Sequence, residues 1–137
     1  MYDLELILED LRHIAWSLDQ IEKRFSSVVK SDDFMKDDNG IEKLDSICLQ
    51  LIAIGETLKH LDKLTESKLL LLYPEVDWKK AKGLRDIITH HYFDIDSETI
   101  FAVCKEHVPT MSKVVSLIIA DLQQGAVAAV SGEDDSE

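Results

Sequence analysis

From Leu4 onward, apolar residues return every three or four positions: Leu4, Leu8, Leu11, Ala15 and Leu18, with Phe25 and Val28 extending the row. That spacing turns one helix face toward a core and predicts an amphipathic helix over about residues 3–29. The run "SDDFMKDDNG" then breaks the period with turn formers and leaves room for one short helical turn at Phe34. Leu44, Ile47, Leu51, Ile54, Leu58 and Leu61 mark a second long helix, about residues 40–63. Thr65 and Asp77 read as N-caps, of a short helix at 66–73 and of another that starts at Trp78, with Pro74 between them. Asp96 or Ser97 caps a last long helix whose apolar face runs from Ile100 to Leu122, kinked at Pro109 and closed at Gly125. The expected fold is all-α, an antiparallel bundle of three long helices plus shorter ones. It forms one domain over residues 1–124, and residues 125–137 are an acidic, disordered tail.

Composition agrees with this pattern. With 137 residues, 45% of them hydrophobic and 31% charged, the chain can bury a core without disulfides or metals. Two prolines and five glycines are too few for the frequent turns of a sandwich or barrel. Cys48 and Cys104 fall among apolar helical positions and read as buried, reduced thiols. The acidic start "MYDLELILED" is not a secretory leader, and "LLLLY" and "VVSLIIA" fall short of the ~20 residues of a membrane span. A cytoplasmic location without membrane contact is expected.

Net charge is −12, which argues against nucleic acid at first sight. The charge is uneven, however. "SGEDDSE" and "SDDFMKDD" each carry four acids, whereas "KKAKGLR" sets four of the fifteen basic residues into seven positions. A bound phosphate responds to that local field more than to the whole-chain sum.

The basic run leads into "GLRDIITHHYFDID", residues 83–96, which concentrates titratable groups no packing helix needs. Arg85 and His90 are five positions apart, ~140° in azimuth on an ideal helix. Asp86 and His90 are four apart and share a face, so Asp86 is expected to hydrogen-bond one imidazole nitrogen and leave the other to exchange protons. Arg85 supplies a fixed cation for phosphate oxygens, and Lys79, Lys80 and Lys82 an approach for RNA. Since RNA carries its own nucleophile, the 2′-hydroxyl, a base, an acid and charge stabilisation suffice to cleave it.

The bland alternatives are concrete. His13, His60 and His107 read as structural histidines, and three lysines are commonly a solvated face. Gly55, in mid-helix, costs about 1 kcal/mol against alanine, so close helix packing is its expected use. Glu56 could face the cleft but receives no role. Trp16 and Trp78 read as core or interface anchors. Glu56/His60 and Asp86/His90 are lone pairs without the repeated Glu-x-x-His of di-iron bundles, so no metal and no cofactor is assigned. A histidine phosphotransfer bundle would need neither Arg85 nor Tyr92 in register.

The sequence "RDIITHHY", arginine, four residues, histidine, one residue, tyrosine, resembles the signature of HepT-type toxins of the HEPN superfamily. "AIGETLKHL", "YPEVDWKKAKGLRD" and the Pro109 kink are similar to further features of that family, and the likeness covers most of residues 3–122. The resemblance implies a helical bundle that forms a homodimer with two Arg/His motifs facing one composite cleft. It also implies metal-independent endoribonuclease activity on RNA. The implied partner is an MntA-type nucleotidyltransferase antitoxin that transfers AMP to the motif tyrosine. Catalytic roles then fall to Arg85 and His90, supporting roles to Asp86 and His91, and AMP modification to Tyr92. His91, between the histidine and the tyrosine, departs from the pattern and competes as the working histidine. The rival reading is a non-catalytic helical dimer that binds a protein or nucleic-acid partner.

Overall fold

The computed structural model describes residues 3–125. Among them five α-helices and several shorter turns form an all-α bundle: α1 (Leu4–Phe25), α2 (Asp38–Thr65), α3 (Trp78–His90), α4 (Ser97–Ala102) and α5 (Val108–Gln123). The acidic tail assigned from sequence lies outside the described residues, apart from Gly125, which follows α5 at φ 70°.

Helix α1 starts where the Asp3 side chain accepts from the Leu6 N–H, and it ends at Phe25, short of the expected residue 29. Its buried stripe is Ile7, Leu8, Leu11, Ile14, Leu18 and Ile21, centred one residue away from the row read from Leu4. Each such fully buried aliphatic side chain contributes about 1.5–3 kcal/mol, which outweighs the weak helix propensity of isoleucine. Val28 is still buried, carried back to the core by the connection rather than by the helix. There the Asp33 carboxylate accepts from the N–H groups of Val29 (2.8 Å) and Lys30 (3.2 Å), which folds Ser31–Phe34 into a 3₁₀ turn and drives Phe34 fully inside. Gly40 accommodates this turn: a Cβ there would lie 2.0 Å from the Asp33 carbonyl oxygen.

Helix α2 is capped by Asp37, which accepts from the Gly40 N–H at 2.8 Å. Its far end corrects the reading of Thr65 as an N-cap. Thr65 is the buried last residue of α2, and its hydroxyl donates to the Leu61 carbonyl at 3.0 Å. Glu66 and Ser67 then take left-handed φ values of 55° and 61°, and the Ser67 N–H bonds the Asp62 carbonyl, a helix-ending turn made without glycine. In place of a helix at 66–73 there is one 3₁₀ turn, Leu70–Leu72. Tyr73 fixes this connection: its hydroxyl donates to Asp121 on α5 at 2.7 Å, and its carbonyl accepts from the Trp78 indole at 2.8 Å. Trp78 is buried, whereas Trp16 is 58% exposed and is not a core residue.

The last helix is interrupted rather than simply kinked. Between α4 and α5, Val103–His107 form a π-helical turn in which the Val108 N–H reaches back to the Val103 carbonyl. Pro109, the second residue of α5, has no N–H to give, and its ring would collide with the carbonyl four residues earlier in a regular helix; widening the turn relieves both problems. Helix α3 packs mainly on α2. Between α3 and the Ser97–Gln123 segment lies a mostly apolar cavity of about 500 Å³, lined by residues that include Leu51, Leu84, Ile87, Val103 and Met111. None of the described helices is long and apolar enough to cross a membrane.

Candidate active site

Helix α3 begins where the Asp77 side chain accepts from the Lys80 N–H at 3.0 Å, as its sequence indicates. It runs antiparallel to α2, and three ionic contacts cross the seam. Arg85 Nε donates to Glu56 Oε2 at 2.7 Å, Asp86 lies 3.7 Å from Lys59 Nζ, and Lys82 is bonded to Asp62. The helices can approach this closely because position 55 is glycine: a Cβ there would sit 2.7 Å from the Cβ of Arg85. Close packing at Gly55 is therefore present, and its partner is the motif arginine itself.

Arg85 is held by two carboxylates, Glu56 at Nε and Asp86 at Nη1 (2.9 Å). The bond to Asp86 and then that to Glu56 raise its pKa further, so it is a permanent cation. Asp86 was expected to back His90. Instead its carboxylate takes the adjacent guanidinium, whose fixed charge and forked donors outcompete an imidazole. Arg85 and then Lys59 hold the Asp86 carboxyl below its ordinary range, with a smaller contribution from the charge of His90. What links Asp86 to His90 is an electrostatic interaction, not a hydrogen bond.

His90 ends α3 and is exposed. His91 follows as the C-cap, its N–H bonded to the Ile87 carbonyl at 3.1 Å, and it is exposed as well. The chain then makes a 3₁₀ turn, Tyr92–Asp94. Tyr92 is half-exposed, and its hydroxyl donates to Asp45 of α2 at 3.2 Å, which raises the phenol pKa. Phe93, stacked edge-on against Tyr92 at 5.5 Å, is 96% exposed. Arg85 thus lies at the middle of the α2–α3 seam, whereas His90 and Tyr92 lie at and beyond the C-terminal end of α3, Tyr92 beside Asp45, and none of the three lines the apolar cavity.

The lysines divide. Lys79 and Lys80 are exposed, Lys80 at the edge of the cavity, whereas Lys82 is 27% exposed and committed to Asp62, so it is not a free contact for RNA. His60 bonds buried Asp10 through Nδ1 at 2.6 Å and ties α1 to α2, a structural use. Cys48 and Cys104 are buried and free. Among the described residues, no three His, Cys, Asp or Glu side chains converge as a metal site would require. The two residues that the sequence left without a site role are Glu56 and Asp45. Their signal was their place on the Arg85- and Tyr92-facing side of α2, which only the packing of α3 reveals.

The profile of the family described as "Ribonuclease HepT-like" matches residues 4–118. The chain is 32% identical over 123 residues to "Putative RNase MJ0127" of Methanocaldococcus jannaschii, covering 90% of this chain and 87% of that protein. It is 27% identical over 101 residues to "Probable ribonuclease HepT" of Thermococcus cleftensis, covering 74% and 84%. No solved structure matches the chain. A match over residues 4–118 takes in α1 to α4 and α5 as far as Ile118, together with Arg85, His90 and Tyr92, and the chain belongs to the HepT-like ribonuclease family.

Proposed function

We propose that this protein is the toxin of a toxin–antitoxin pair, a metal-independent endoribonuclease that works as a homodimer in the cytoplasm. The single observation that carries the reading is Arg85, fixed by two carboxylates, on the same short helix as an exposed, C-terminal His90. Neutral His90 takes the proton of a ribose 2′-hydroxyl, whose oxygen attacks the adjacent phosphorus. The P–O5′ bond breaks, and the 5′-oxygen receives a proton from the His90 of the second copy, leaving a 2′,3′-cyclic phosphate and a 5′-hydroxyl. Arg85 stabilises the charge on the phosphoryl oxygens as it builds up. A C2 dimer brings two identical motifs to one axis and supplies both base and acid.

Regulation in this reading runs through Tyr92. An MntA-type nucleotidyltransferase joins the tyrosine oxygen to the α-phosphorus of ATP and releases pyrophosphate. The resulting phosphodiester competes with RNA for Arg85, and the nucleoside blocks access. Half-exposure of Tyr92 at the end of α3 supports such access by an enzyme.

The test is cleavage of single-stranded RNA in EDTA by the wild type and by His90→Ala, Arg85→Ala and His91→Ala. His90→Ala and Arg85→Ala should lose about 10²–10⁴-fold, while His91→Ala keeps most activity. Loss of activity in EDTA, or loss in His91→Ala alone, overturns the assignment. After coexpression with the nucleotidyltransferase, one AMP mass should appear on the wild type, vanish in Tyr92→Phe and accompany loss of cleavage. Light scattering that finds only monomer would remove the composite cleft.

A further inference from the structure

We propose that Glu56 is the positioning residue of Arg85: it pins the guanidinium through Nε so that the Nη2 edge is presented to a phosphate. An arginine side chain has several rotatable bonds, and a half-exposed one samples many orientations unless its head is held. Two bonds fix the plane here, Glu56 at Nε and Asp86 at Nη1. Among the described residues Nη2 has no protein partner, so the tethered head shows one free edge.

The tether is built into the helix pair. Gly55 lets α2 approach until its backbone stands against the Cβ of Arg85, and the next residue, Glu56, then reaches the near nitrogen of the guanidinium rather than its far end. The pair is no staple for the fold, because both side chains are substantially exposed and exposed ion pairs add little stability. Glu56 and Asp86 together balance the charges of Arg85 and Lys59. Glu56 therefore sets orientation at some expense in attraction for an anion, and that gives its two substitutions different signatures. Glu56→Gln keeps an oxygen acceptor for Nε–H but removes a negative charge. Glu56→Ala removes both.

This inference rests on the ribonuclease reading for its consequence, but its geometry can be measured separately. The Nε–H resonance of Arg85, assigned by its loss in Arg85→Lys, is followed by ¹⁵N NMR in the full chain. Wild type and Glu56→Gln should show one resolved, exchange-protected signal, and Glu56→Ala should lose it. With single-stranded RNA, Glu56→Ala should lower kcat by about 10- to 100-fold with KM within about threefold, as expected for a misaligned group. Glu56→Gln should keep kcat within about threefold and lower KM. Thermal midpoints should stay within about 2 °C of wild type, which a residue that only holds the fold would not allow. A protected Arg85 signal that survives in Glu56→Ala overturns the proposal, as does a kcat that falls equally in both variants. If the wild type does not cleave RNA at all, the proposed function fails while the NMR comparison still decides whether Glu56 positions Arg85.

Discussion

Gly55 and Arg85 meet in close contact between α2 and α3: a Cβ on the glycine would lie 2.7 Å from the Cβ of the arginine. The obstructing atom is rooted to the backbone of α3, so the helix itself would have to move. Alanine gains about 1 kcal/mol over glycine in a helix interior, but overpacking costs about 1–3 kcal/mol. Gly55→Ala should therefore be neutral to destabilising and should lower cleavage by displacing Arg85. Gly83, also inside a helix, has no atom within 4 Å of the site of its missing Cβ, so Gly83→Ala should stabilise by up to about 1 kcal/mol. Urea unfolding should show a gain in stability for Gly83→Ala and none for Gly55→Ala. Equal gains would mean that the α2–α3 approach is not tight.

The lysines should separate by salt dependence. In a fluorescence titration with a non-cleavable 2′-O-methyl oligonucleotide, each phosphate contact contributes about 0.7 to the slope of log K against log salt. Lys79→Ala/Lys80→Ala should reduce that slope. Lys82→Ala should leave it unchanged and instead cost about 1–3 kcal/mol of stability, because it strands Asp62 in a largely buried position. A slope that falls with Lys82→Ala would return that residue to the RNA-contacting set.

Thiol chemistry offers a pH test. Burial pushes Cys48 up to about 11 and Cys104 up to about 12, from an ordinary 9.0, with nearby negative charge adding to both shifts. The fold therefore favours the neutral thiols. Their contribution to stability is complete below pH 9 and is lost as pH rises from 9 through 11 to 12. The urea midpoint should fall between pH 8 and pH 10.5, and fall less in Cys48→Ala/Cys104→Ala. At pH 8 both thiols should react with a disulfide reagent only as fast as the chain opens. Rapid stoichiometric labelling of the native protein would contradict this picture.

Much of this architecture was readable because helical period and capping are local. The stripe ending in Leu18, the cap at Asp77 and the buried cysteines all follow from neighbours within a turn or two. Thr65 misled for a local reason as well: threonine caps helix starts, but its hydroxyl can equally bond back to the i−4 carbonyl, as it does to Leu61. The pairings at the site were different. Asp86 and His90 share a face by spacing, yet Arg85, one residue away, holds a permanent charge and takes the carboxylate. Glu56 meets Arg85 across 29 positions of sequence, and Asp45 meets Tyr92 across 47. Those contacts depend on the register of α3 against α2, and spacing within one helix fixes azimuth but not which residue stands opposite.

The widened turn at Val103–His107 makes the length of the last helix as consequential as its composition. With the Val108 N–H bonded five residues back, the segment holds a residue that a regular helix would not accommodate. Shortening this stretch by one position would restore regular winding, and because the wide turn has already absorbed the extra residue's ~100°, α4 would keep nearly its present phase relative to α5. Ile100, which is 2% exposed, would then still face the core together with Met111 and Val115. A single-residue deletion in the regular winding of α5 has no such slack and would rotate everything before it by about 100°, a change of phase for the whole of α4.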